Sequence, residues 1–234
     1  MKNTTGLRSR DIYTSTKDAY KRKYPNGKGI VITQSYLRLQ SAILATLSSI
    51  EFGLLVNELA PNAQSVDPTE KRLSIVDNFL ITEMRVSILK RPSGEAVANQ
   101  AASLFPNPLI FSKVGEADAF QVVYNSDLSL QINGDTILDS WDVNRHYRVG
   151  TAQKGVNLNA TGAAADKYQA DAYESATNGF YPVTPQIEVR GNAKNRFRIN
   201  LPVSSDLSGT SSDNFVILDL RGLLIQNGST TAQR

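Results

Sequence analysis

From residue 29 onward the chain is dominated by short stretches in which every second side chain is apolar, the period that turns one face of a strand inward. Leu128, Leu130 and Ile132 alternate with Ser129 and Gln131. Asn133-Gly134 then supplies the positive-φ pair of a two-residue turn and Thr136-Ile137-Leu138 returns, which predicts a hairpin. Further on, Ile187 and Val189 alternate with Glu188 and Arg190, residues 191–195 form a loop, and Phe197, Ile199 and Leu201 alternate with Arg196, Arg198 and Asn200. The same logic predicts a second hairpin there, with a longer loop. Near the end, Phe215, Ile217, Leu218, Leu220, Leu223 and Ile225 make a long and central strand, with Gly222 as a bulge or close-packing point.

Weaker strand patterns cover Ile30 to Gln40, Ser49 to Asn57, Asn78 to Lys90, Leu109 to Lys113, Phe120 to Tyr124 and Arg145 to Ala152. Leu39, Ile43, Leu47, Ile50 and Leu54 also fit helical spacing, but Ile50, Phe52, Leu54 and Val56 favour a strand over the second half of that stretch. One helix is expected at Ala163 to Ala176, with Thr161 as its cap and Asn178-Gly179 as its stop. Many short strands, one inserted helix and no alternation of strand with helix predict an all-β fold, an antiparallel β-sandwich. Long intervals at residues 91–108 and 153–184 suit sheet-crossing connections, so the expected form is jelly-roll-like.

Charge changes this picture at one end. The first 28 residues carry eight cations, Lys2, Arg8, Arg10, Lys17, Lys21, Arg22, Lys23 and Lys28, against Asp11 and Asp18, whereas the rest of the chain holds 17 basic and 20 acidic residues. Residues 1–28 therefore read as an extended basic N-terminal arm, and residues 29–234 as the sandwich domain. Such an arm meets phosphate or acidic protein surface. Tyr13, Tyr20 and Tyr24 could stack on unpaired bases, yet the two interspersed acids shift the expectation toward neighbouring subunits first and genome second. Tyr24-Pro25-Asn26-Gly27-Lys28-Gly29 stands where the apolar core of an export signal would follow, and Ser48, Ser49, Glu51 and Gly53 interrupt the most apolar stretch. The expectation is a protein made in the cytoplasm, with no membrane span.

Candidate chemistry is sparse. Cysteine is absent, and the only histidine, His146, lies near Asp139, Trp141, Asp142 and Arg145. A hydrolytic reading would make His146 a base oriented by Asp142, but no serine sits in a nucleophile turn. A metal reading from Asp139, Asp142 and His146 lacks the usual spacing. Gly27-Lys28-Gly29 lacks the spacing and Lys-Ser/Thr ending of a phosphate loop. No catalytic residue, cofactor or metal site is named, and the chain is not read as an enzyme. Val97, Leu104, Phe105 and Leu109, among Pro106 and Pro108, are candidate contact loops.

Leu73-Ser-Ile-Val-Asp-Asn-Phe-Leu-Ile-Thr, Tyr181-Pro-Val-Thr-Pro-Gln-Ile-Glu-Val-Arg-Gly, Asn195-Arg-Phe-Arg-Ile-Asn-Leu-Pro and Val216-Ile-Leu-Asp-Leu-Arg-Gly-Leu-Leu-Ile resemble, in style, the jelly-roll virion proteins of bacteriophages. The resemblance spans residues 70–226. It implies a capsid subunit of a virion, made in the host cytoplasm, self-assembling with copies of itself and other virion proteins. Its arm would bridge neighbours or touch packaged nucleic acid. The chain is shorter than double-jelly-roll capsid proteins, so the resemblance carries over to a single jelly roll or a smaller auxiliary shell protein. The alternative from the residues is a carbohydrate-binding β-sandwich module, with Trp141, Tyr147 and Tyr181 as stacking faces.

Overall fold

The computed structural model describes residues 11, 14–15, 17–19, 21–22, 30–43, 46–58, 69–90, 120–147, 179–206 and 214–231. Among the described residues eight strands form in chain order: β1 (Val31–Ala42), β2 (Thr46–Phe52), β3 (Asn78–Lys90), β4 (Asp127–Ile132), β5 (Asp135–Asp142), β6 (Tyr181–Arg190), β7 (Asn195–Asp206) and β8 (Asn214–Gln226). They make two four-stranded antiparallel sheets, ordered β1-β8-β3-β6 and β2-β7-β4-β5. First pairs with last, second with seventh, third with sixth and fourth with fifth. The chain is thus one long hairpin, with its tip at the β4–β5 turn, rolled so that its paired segments are divided between two sheets. This is the winding of a jelly roll, and it fits the expected all-β sandwich.

The tip is set locally. Asn133 has φ 54° and Gly134 φ 94°, both left-handed, as a two-residue primed turn needs. Asn133 also ties the tip to the neighbouring corner: its N–H donates to Lys194 O at 2.8 Å, and its side-chain Oδ1 accepts from Lys194 N at 2.9 Å.

The interior is filled by the apolar members of the alternations. Leu37 and Leu39 of β1, Val216, Leu218 and Leu220 of β8, and Val183, Ile187 and Val189 of β6 meet Ile50 and Phe52 of β2, Phe197, Ile199 and Leu201 of β7, and Leu128 and Leu130 of β4. On β3 the inward set is Phe79 and Ile81, then Met84, Val86 and Ile88. The change of parity has a cause: Ile81 pairs with Gly222 and Glu83 with Arg221, so Thr82 is an extra residue, its hydroxyl donating to Arg221 O at 3.1 Å. Gly222 lies opposite, and a Cβ there would come within 1.8 Å of Leu80 O. The close-packing point expected on β8 is therefore real, while the bulged strand is β3.

Four expectations are corrected. The two strands after residue 180 do not form a hairpin, because β6 and β7 lie in different sheets and residues 191–194 turn the corner between them. Gly191 donates to Asp77 O at 2.8 Å, and the Asn195 amide donates to the carbonyls of Arg190 (2.8 Å) and Ala193 (2.9 Å), which satisfies the corner's backbone without a ladder. Residues 120–124, expected as a strand, are helical: Phe120, Val123 and Tyr124 are buried at helical spacing and Asn125 N donates to Gln121 O at 2.9 Å. The strand expected from Arg145 instead begins inside a 3₁₀ turn, Val143–His146, because the Asp142 carboxylate accepts from Asn144 N at 2.9 Å and caps it. In the arm, expected as extended, residues 11, 14–15, 17–19 and 21–22 have helical backbone. The helix expected at Ala163 to Ala176, the strand at Leu109 to Lys113 and the loop around Val97 to Leu109 lie outside the described residues.

The sheet edges are managed differently. β6 carries Pro182 and Pro185, tolerated because an edge strand can spare a donor. β1 is bridged at Arg38 by Lys71, through backbone bonds of 2.9 and 3.0 Å. β5 pairs only with β4 among the described residues, and its register slips twice, the bulging that blunts an open edge.

Candidate interaction surface

The one imidazole is buried, with 0% exposure. Its Nδ1 lies 2.8 Å from Gly179 O, a carbonyl that can only accept, so Nδ1 carries the proton. Its Nε2 is then an acceptor, and the Trp141 indole N–H donates to it at 3.0 Å. Tyr181 meets the ring edge-on, with centroids 5.5 Å apart. Burial pushes the imidazole down from 6.5 to about 4, the hydrogen bond to Gly179 opposes this, and the nearby Arg145 and Arg85 charges add to the lowering. Both nitrogens are committed, and the Asp142 carboxylate is spent on the Asn144 N–H. His146 is thus a packing element that joins β5 to the approach of β6.

The aromatic faces are similarly engaged. Trp141 is 8% exposed, its ring stacked on His146 and covered by the Arg145 guanidinium 4.9 Å from the centroid. Tyr147 stands edge-on to Tyr124, with centroids 6.5 Å apart. No group of three or more His, Cys, Asp or Glu side chains able to hold a metal occurs among the described residues. Nor is any helix among them long and apolar enough to cross a membrane.

Of the arm's cations, Lys17, Lys21 and Arg22 are described and exposed, and Arg22 Nε donates to Asp18 O at 3.4 Å. Lys2, Arg8, Arg10, Lys23 and Lys28 lie outside the described residues. Gly27-Lys28-Gly29 lies outside them too.

Among the described residues, the outer face of the β2-β7-β4-β5 sheet is open and polar. A polar groove of about 140 Å³ runs across it, lined by Ser129, Gln131, Thr136, Asp139, Arg196, Arg198 and Asn200. These are the polar members of the same alternations whose apolar members fill the core. Their spacing was visible in the sequence, but only the pairing of β4 with β7 puts Ser129 beside Arg198 and Gln131 beside Arg196. Asn200 donates to Ser129 Oγ at 3.1 Å, which fixes the groove floor. Glu51 of β2 accepts from Arg196 and lies 3.7 Å from Arg198 Nε, so two guanidiniums share one carboxylate.

The other sheet's outer face is more closed. There Asp219 accepts from Arg85 Nε (3.0 Å) and Nη2 (2.6 Å), while Arg85 and Arg221 cover the Phe180 ring at 4.6 and 3.8 Å. Burial lowers the Arg221 guanidinium from its ordinary value, with Glu83 opposing that shift, and the group stays charged. Comparison with known proteins found no family model that matches this chain and no curated protein that matches it.

Proposed function

We propose that this chain is a structural subunit of a virion, a capsid protein that assembles with copies of itself and carries a basic N-terminal segment for contacts with neighbouring subunits and the genome. Jelly rolls serve shells, lectins and enzymes alike, so the winding alone names no function. What carries the reading is the combination of an eight-strand jelly roll with eight cations in the 28 residues ahead of it. Three further observations support it. Among the described residues the sandwich interior is packed with apolar side chains. The one histidine is held by Trp141 and Gly179. An open polar sheet face remains available for a neighbour.

The test is direct. The full chain, and a variant lacking residues 1–28, are examined by electron microscopy and sedimentation over a range of salt. The full chain is expected to form closed particles or rings, and the truncated chain to assemble poorly. Nucleic-acid binding is expected to weaken by roughly a thousandfold between low and moderate salt if about six cations meet phosphates. A chain that stays a compact monomer at high concentration, with truncation altering neither assembly nor nucleic-acid binding, would remove the reading.

A further inference from the structure

We infer that the outer face of the β2-β7-β4-β5 sheet is a self-complementary surface that pairs with the same face of a second copy, Arg198 of each meeting Asp139 of the other. The inference stands on strand order and register, and holds whether or not shells form.

On this face the charges are arranged by strand. Glu51 lies on β2, Arg196 and Arg198 on β7, the neutral Ser129 and Gln131 in the middle of β4 with Asp127 at its start, and Asp139 on β5 with Asp142 at its end. Glu51 draws on both arginines, which leaves one positive charge over on β7. Asp139 is exposed and has no ion-pair partner among the described residues, which leaves one negative charge on β5. Asp127 of β4 and Asp142 of β5 add negative charge at one end of the face, where Asp127 of two facing copies would repel, so the complementarity is local: it runs across the width at the height of Ser129, from Arg198 to Asp139.

Register makes the polarity useful. Arg198 pairs with Ser129, and Ser129 falls between Leu128, which pairs with Trp141, and Leu130, which pairs with Leu138. Asp139 therefore lies at the same height along the sheet as Arg198, with β4 between them. β7 and β5 are each one strand from β4, about 4.8 Å to either side. A two-fold axis parallel to the strands and lying above β4 keeps height unchanged and exchanges the two sides. It carries β7 of one copy over β5 of the other, and each Arg198 over its partner's Asp139, so that both pairs form at once, as an isologous contact requires. The side chains are open to do so: Arg196 and Arg198 expose 49% and 38% of their side-chain area.

Four strands about 4.8 Å apart and some six residues long present roughly 400 Å² per copy, well below the area of a stable dimer. The pairing is accordingly weak, polar and salt-sensitive, a contact that gains strength through repetition.

The experiment is velocity sedimentation of the full chain at low salt over a range of concentration, which resolves a pair from any larger assembly. Arg198→Asp and Asp139→Arg are each expected to weaken pairing by about tenfold, since each sets like charges opposite in both halves of the contact. An equimolar mixture of the two variants is expected to recover pairing, because every contact in the mixed pair is again opposite in sign. That recovery also shows that both variants are folded. The inference is overturned if the wild-type chain does not pair, if either variant pairs as the wild type does, or if the mixture associates no better than the single variants.

Discussion

Acidification should destabilise this protein through one residue, and the geometry sets the size of the effect. In the folded state His146 Nε2 accepts from the Trp141 indole, so protonation would set two donors against each other in a buried site. The imidazole is held at about 4, against 6.5 in the unfolded chain. Between those values the unfolded state binds a proton that the folded state refuses, so stability falls as pH falls. The contribution is fully present above about 6.5 and is lost as pH drops through about 4. At about 1.4 kcal/mol per pH unit the gap corresponds to about 3 kcal/mol. Because the chain has a single histidine, its imidazole resonances can be followed by NMR without assignment ambiguity. Urea unfolding of the wild type and of His146→Gln across the same pH range then separates this term from the carboxylates, which titrate in both. An imidazole that titrates near 6.5 in the folded protein, or equal pH dependence in the two proteins, would refute the reasoning.

Trp141→Phe removes the donor to Nε2 and is expected to cost about 1–3 kcal/mol in urea unfolding and to raise the His146 pKa, read from the same resonances. Gly222→Ala drives a Cβ to within 1.8 Å of Leu80 O and is expected to cost more than about 3 kcal/mol or to prevent folding, as seen in thermal melts. Gly134→Ala meets nothing within 4 Å, so its cost is conformational alone, about 1–2 kcal/mol for the left-handed backbone at φ 94°. Asp219→Ala leaves the Arg85 guanidinium without its carboxylate at a half-closed site and is expected to cost about 2 kcal/mol by denaturant unfolding.

The sandwich was legible because its strands announce themselves locally. Leu128 to Leu138 needs only an alternation and an Asn-Gly pair to become a hairpin, and β3 begins at Asn78 and ends at Lys90 as its pattern predicts. Where a pattern fits two periods, packing decides. Phe120, Val122 and Tyr124 alternate as a strand would, yet Phe120, Val123 and Tyr124 are the side chains the helical turn buries. His146 was conspicuous as the only histidine beside Asp142, but its neighbours across space, Gly179 and Tyr181, lie more than thirty residues away and turn it from a candidate base into a packing group.

By itself the sequence determined which side chains face inward, where the tip of the long hairpin lies, and that a cationic segment precedes an almost neutral body. These depend on period, turn chemistry and charge, all short-range properties of the chain. Which sheet each strand joins was decided only in three dimensions. Ile187 and Phe197 face the same core from opposite sheets, so their alternation is identical to that of a hairpin. The same holds for the polar side: Arg198 and Asp139 lie at one height only because β4 separates their strands, and that register is a property of the fold, not of either segment.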